Sequence, residues 1–174
     1  LPFAPGVFDD AVSLHTFHHL PLEGTRSAFR EMLRVLKLNA TAVVVNGWSY
    51  SPLMKSMSWI MRVGERFDKG KNGTQRKESR DEDKPKNCDA KPAGTFVEKF
   101  DAEKLKKEIL PGYNFQIRVW RSVSVRFLRA VVRPDWRGKL LLKIIYELEE
   151  MFPTYFGEKG QYPMIILKKE EGMR

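Results

Sequence analysis

Apolar and polar residues alternate along this chain with a period that changes several times. Asp10 to Leu14, DAVSL, reads as a short apolar strand entered through the turn residues Pro5, Gly6 and Asp9. After Pro21 the apolar positions Phe29, Met32, Leu33 and Leu36 recur at helical spacing, with Arg26, Arg30, Glu31 and Arg34 on the other side. That amphipathic helix should close near Lys37, because Asn39 tolerates the left-handed backbone that ends helices. Thr41 to Val45, TAVVV, then forms a second strand, and its uninterrupted β-branched run predicts burial on both faces, as in a parallel sheet.

Further along, Ser51-Pro52 signals a helix start, followed by the apolar stripe Leu53, Met57, Ile60 and Met61. Asp101 is placed to cap the helix AEKLKKEIL, with Leu105, Ile109 and Leu110 inward. Phe115, Ile117 and Val119, then Val123, Val125 and Phe127, alternate as in one long strand over 115–127, with a bulge at Arg121. Gly138 to Phe152 has a helical pattern, and Tyr162 to Leu167, YPMIIL, makes a last strand. Between these elements, residues 65–91 carry nine Lys or Arg against seven Asp or Glu and almost nothing apolar. Such a segment buries too little to offset its ordering entropy, so it is expected to be a disordered, mixed-charge insert.

Composition narrows the possibilities. With 174 residues and 42% hydrophobic content the chain can bury one core. No apolar run approaches the roughly 18 residues that a membrane span needs. The lone Cys88 cannot make an internal disulfide, and no basic-then-apolar leader opens the sequence, so the expected compartment is the cytoplasm. The net charge of +9 suits polyanionic partners, but a solvated basic surface explains it as well.

The blocks LPFAPGVFDDAVSLHTFHHL, FREMLRVLK and VVV, in that order, resemble the middle of a class I S-adenosylmethionine-dependent methyltransferase. The resemblance covers Leu1 to Asn46. It departs at Leu38-Asn39-Ala40, where the family usually has Pro-Gly-Gly. Family members bind the cofactor mainly through a Gly-rich turn and an acidic residue that precede the LPF segment, whereas this sequence opens on that segment and contains no G-x-G-x-G. The expectation is therefore a partial methyltransferase domain over 1–174: an α/β, Rossmann-like fold reduced to the C-terminal half of its sheet with flanking helices. Four strands are expected, at 11–15, 41–46, 115–127 and 162–168, the first two parallel, the last antiparallel to its neighbours, and the 11–15 strand at an open edge.

The resemblance also implies a site. Leu14 and His15 would line the methionine and ribose side of S-adenosylmethionine, Pro2 and Phe3 would lie near its adenine, and His18 would approach the methyl acceptor as a general base. The alternative for His18 and His19 is structural, capping the turn that follows and packing on the helix. The three histidines lack the Cys or carboxylate partners of a closed metal site, so no metal is expected. The Met-rich stripe either packs on the sheet or covers an adaptable apolar substrate pocket.

A second feature lies between Arg118 and Lys143, where eight basic residues, among them Arg118, Arg121, Arg126 and Arg129, face Asp135 alone with Trp120 and Trp136 interleaved. Basic groups beside aromatics suit RNA, although arginines along an amphipathic strand also form its wet face. Three functions stay open at this point: methyl transfer to a small-molecule acceptor, methyl transfer to RNA, and a non-catalytic module that is either truncated or completed by a partner.

Overall fold

The computed structural model describes residues 1–62, 97–132 and 136–171. The charged insert expected over 65–91, with Cys88, lies outside the described residues.

Four strands form one open sheet. β1 (Phe8–Leu14) lies parallel to β2 (Leu36–Val45), and the helix α1 (Leu22–Val35) crosses between them. β4 (Tyr162–Lys168) runs antiparallel to β2 on one side and to β3 (Phe115–Arg121) on the other, giving the order β1-β2-β4-β3. The mixed α/β class, the parallel first pair and the antiparallel last strand are as the sequence led us to expect. β1 stands at the sheet edge, with Val12 and Leu14 exposed.

Helix α1 turns its apolar stripe inward. Phe29, Met32 and Leu33 are buried against Phe17, Leu36, Trp48, Leu105 and Ile109 beneath the sheet. In β2, Ala42 and Val44 are fully buried while Thr41 and Val43 are only half-buried, so one face meets the core and the other is partly covered. Burial on both faces was expected from the run of β-branched residues, but such a run does not say what covers each face.

The helix also stops earlier than Asn39 suggested. α1 ends at Val35, and β2 begins at once; the pairing jumps from Phe8↔Leu36 to Asp10↔Thr41, which leaves Lys37 to Ala40 bulged out of the ladder. Asn39 takes its left-handed backbone, φ 64°, within that bulge, and its N–H donates to the Lys169 carbonyl at 2.9 Å. The conformational tolerance was read correctly, and its use is a bulge rather than a helix end.

After β2 come α2 (Pro52–Ser56), capped by Ser51 Oγ accepting from the Met54 N–H at 3.2 Å, and a helical stretch over 58–62 (α3). Asp101 accepts from the Lys104 N–H at 2.8 Å and so caps α4 (Ala102–Lys104), which widens into a π-helical turn over Leu105–Ile109.

The strand expected over 115–127 is half strand and half helix. β3 ends at Arg121, and Ser124 Oγ accepts from the Phe127 N–H at 3.1 Å to start α5 (Val125–Val131). Val123 and Phe127, four residues apart, share one buried side, whereas Val125 is exposed. Alternation over so few positions fits both periods, and the serine cap decides between them. α6 (Trp136–Met151) and α7 (Pro153–Lys159) complete the connection to β4.

The stripe Leu53, Met57, Ile60 and Met61 joins Met54, Val123 and Phe127 in a second small core. It packs there rather than standing open.

Candidate functional site

Three groups from the sequence gather past the carboxyl end of β1. Leu14 is the last residue of the strand, and His15 follows with a left-handed φ of 54°, its N–H donating to the Val45 carbonyl at 2.8 Å. A left-handed non-glycine residue stores strain and turns the chain sharply out of the sheet. Thr16 Oγ1 donates back to the Leu14 carbonyl at 3.1 Å, and Phe17–His19 then form a single 3-10 turn whose buried member, Phe17, anchors it on Phe29.

His18 is thereby held beside the end of β2. Its Nδ1 lies 2.8 Å from Asn46 Oδ1, and Asn46 is fully buried. An amide oxygen only accepts, so Nδ1 is the donor in this contact, and in the neutral ring that leaves the lone pair on Nε2. That is the tautomer a general base requires. His19 packs its exposed ring against His18, with centroids 4.0 Å apart.

Two residues from the far half of the chain approach the same place. The Tyr162 ring meets His15 edge-on at 5.4 Å, and the Arg121 guanidinium sits 4.3 Å above that tyrosine ring. Residues 97–100 cross nearby, where the Glu98 N–H donates to the His18 carbonyl at 2.7 Å. Burial, then the neighbouring His18, Arg121 and Lys99, holds the His15 imidazole below its usual pKa of 6.5. The neutral form of His15 is thereby favoured. Two buried donors at these strand ends, Asn46 Nδ2 and Arg121 Nε, have no hydrogen-bond partner among the described residues.

Pro2 and Phe3 stand elsewhere. Phe3 packs edge-on against Phe8, with ring centroids at 5.0 Å, and its carbonyl accepts from Arg34 Nη1 at 2.9 Å. Phe8 and Leu14 are the two ends of β1, about 20 Å apart at roughly 3.3 Å per residue. The structure thus brings Leu14, His15 and His18 together and leaves Pro2 and Phe3 at the opposite end of the strand. Nor is either of two surface cavities lined by a histidine: one of about 350 Å³ lies beside Arg26 and Lys107, the other of about 690 Å³ beside Phe115 and Pro153.

Asn46, Tyr162 and Arg121 were not singled out for this site from the sequence. A polar residue directly after the VVV run was the available signal for Asn46; Tyr162 and Arg121 arrive through strand order alone.

Comparison with known proteins bears on the segment that carries these histidines. Residues 1–44 match the family described as Methyltransferase domain. That match covers about the first quarter of the chain. No curated protein matches it. Solved structures similar to this chain include the (4+2)-cyclase SpnF, at 17% identity over 99% of this chain and 54% of that one, with a TM-score of 0.44. Others are the YcgJ protein from Bacillus subtilis, at 15% identity over 99% and 68% with a TM-score of 0.44, and a SAM-dependent methyltransferase from Archaeoglobus fulgidus, at 16% over 96% and 62% with a TM-score of 0.43. The chain spans 54% to 68% of the length of these structures.

The described basic residues between Arg118 and Lys143 are spread over three elements. Arg118 and Arg121 belong to β3, Arg126 and Arg129 to α5, and Arg137, Lys139 and Lys143 to α6, while Arg121 is spent on Tyr162. Among the described residues no helix is long and apolar enough to cross a membrane.

Proposed function

We propose that this chain forms the acceptor side of a class I methyltransferase that moves a methyl group from S-adenosylmethionine to a small molecule, with His18 as the general base. The observation that carries this reading is the hydrogen bond from His18 Nδ1 to Asn46, in a segment that matches the methyltransferase family. When bound, S-adenosylmethionine supplies an electrophilic methyl carbon on a sulfonium.

The residues present fit such a ligand. Unpartnered buried donors at Asn46 and Arg121 suit a molecule rich in acceptor oxygens, because buried polar groups are otherwise satisfied. Leu14 and His15 present backbone at the strand end, where open α/β sheets bind ligands. Asn46 fixes the His18 tautomer, as outer partners of reactive histidines do. His18 Nε2 then accepts the proton that a hydroxyl or amine acceptor releases. The lowered pKa of His15 disfavours a positive charge that would repel the sulfonium.

The test is nuclear magnetic resonance of the labelled chain titrated with S-adenosylhomocysteine. Shifts should appear at the amides of Leu14, His15 and Thr16, with weak affinity, since the 174 residues contain no G-x-G-x-G turn. Losing three hydrogen bonds at roughly 1 kcal/mol each weakens binding by about two orders of magnitude. Absence of shifts at millimolar ligand, or shifts confined to other surfaces, would return the chain to the reading of a non-catalytic module. Phe3 serves as an internal check, because adenine contact there requires its amide to move with those of Leu14 and His15.

A further inference from the structure

Helix α6 carries an apolar face that nothing in the described chain covers. Gly138 is its one buried residue, and Leu141, Ile145 and Glu149 turn toward the body, where Glu149 Oε1 accepts from the Ser122 N–H at 2.6 Å. On the outer side Trp136, Leu140, Ile144, Leu148 and Met151 follow one another at spacings of four and three, and they are 40% to 68% exposed. That spacing makes one stripe along a helix about 24 Å long.

A charged row runs beside the stripe, and its sign reverses midway. Lys139 and Lys143 occupy the first half, Glu147 and Glu150 the second. No acidic residue lies in the first turn and no basic residue in the last. This polarity opposes the helix's own dipole, which favours acids at the start and bases at the end. Nor do these charges serve the helix by pairing internally: Lys143 and Glu147 stand four apart in the less favourable orientation, and among the described residues none of the four makes an ion pair. A charge pattern that costs the helix stability, beside a bare apolar stripe, is explained by a neighbour of reversed direction.

We propose that α6 pairs antiparallel with α6 of a second copy, across a two-fold axis at the level of Ile145. The reversal is what makes the surface self-complementary. With the axis there, Lys143 of one copy faces Glu147 of the other and Lys139 faces Glu150, each twice, while the two apolar stripes close on one another. An isologous interface demands this kind of pattern, in which a patch is complementary to itself. Flanking charges of this arrangement set register and orientation in paired helices, and the antiparallel alignment also opposes the two helix dipoles.

Sedimentation equilibrium of the 174-residue chain from 1 to 200 μM tests this, with circular dichroism confirming that each variant is folded. The expected result is a dimer whose dissociation constant rises at least about tenfold in Lys143→Glu alone and in Glu147→Lys alone, because each puts like charges face to face twice. The double variant Lys143→Glu/Glu147→Lys should restore the parent's affinity to within about threefold, which no simple loss of stability would do. Monomer at every concentration overturns the proposal. So does a dimer indifferent to the single reversals, as association through the open edge of β1 would be. Flotation of a monomeric chain with phosphatidylserine vesicles, lost in Lys143→Glu and not recovered in the double variant, overturns it in favour of a membrane surface.

Discussion

Helices α1 and α6 have similar lengths, 14 and 16 residues, yet α1 buries Phe29, Met32, Leu33 and Val35 whereas α6 buries Gly138 alone. Each belongs to a different kind of unit. α1 is the crossover between two parallel strands, so its inner face is obliged to lie on the sheet that those strands form. α6 sits in the connection between β3 and β4, two antiparallel strands that a short turn can join, and nothing about the sheet requires a helix there. Apolar residues at helical spacing identify a helix in both cases. What covers the apolar side is a separate matter, decided by topology in the first and by surface chemistry in the second.

The largest expected effect follows directly. Phe29→Ala removes a ring that is 1% exposed and packs on Phe17, and it should cost about 3–5 kcal/mol in chemical denaturation. Ile144→Ala, on the open stripe of α6, should change the monomer's stability by no more than about 0.5 kcal/mol. If the Ile144 variant loses as much as the Phe29 variant at concentrations where the chain is monomeric, α6 is covered within its own chain and the contrast between the helices disappears.

How α6 is tethered gives a second, smaller test. α7 follows it and lies against β3, close enough that a Cβ on Gly157 would stand 2.6 Å from the Arg118 carbonyl carbon. Backbone at that distance cannot move aside as a side chain would. The carbonyl of Gly157 also accepts from Trp48 Nε1 at 2.8 Å, which ties the β3–β4 connection to the central core. Gly157→Ala should therefore destabilise the chain by about 1–3 kcal/mol, the usual cost of overpacking. A neutral substitution would mean that α7 can lift from the sheet, and with it the anchor for α6.

These contrasts show why some of the structure was legible in sequence. The unit from β1 to β2 could be read because each of its signals is local: DAVSL, a helical stripe and TAVVV follow in the order of a parallel crossover. His15 and His18 were placed at a strand end for the same reason. Phe115 to Phe127 was misread because alternation over thirteen positions, with a serine cap in the middle, satisfies a strand and a strand-then-helix alike. Asn39 was given its backbone and not its place, since a bulge depends on the partner strand. Arg121 and Tyr162 escaped notice as site residues because they are distant from the histidines in sequence, and only the order β1-β2-β4-β3 carries them there. The uncovered face of α6 was equally invisible: periodicity shows which residues share a side, never whether that side is met.

The smallest expected effect concerns the place where the two units touch. His15 belongs to the first unit and Arg121 to the second, and the arginine is one of the charges that hold the His15 pKa below 6.5, after burial and His18. In the unfolded chain His15 titrates near 6.5, as model imidazoles do. As pH falls below that value the unfolded chain takes up the proton first, so His15 lowers stability on the acid side and contributes nothing above it. The exposure of this ring screens the effect, and it should be visible in titration rather than in unfolding. Proton resonances of the His15 ring should show a midpoint below 6.5, and Arg121→Gln should raise it toward that value without abolishing the depression, because burial and His18 remain. A midpoint unmoved by Arg121→Gln would mean that the guanidinium is turned from the histidine in solution. The β3–β4 connection would then lend nothing to the site, and the histidine cluster would be the property of the first unit alone.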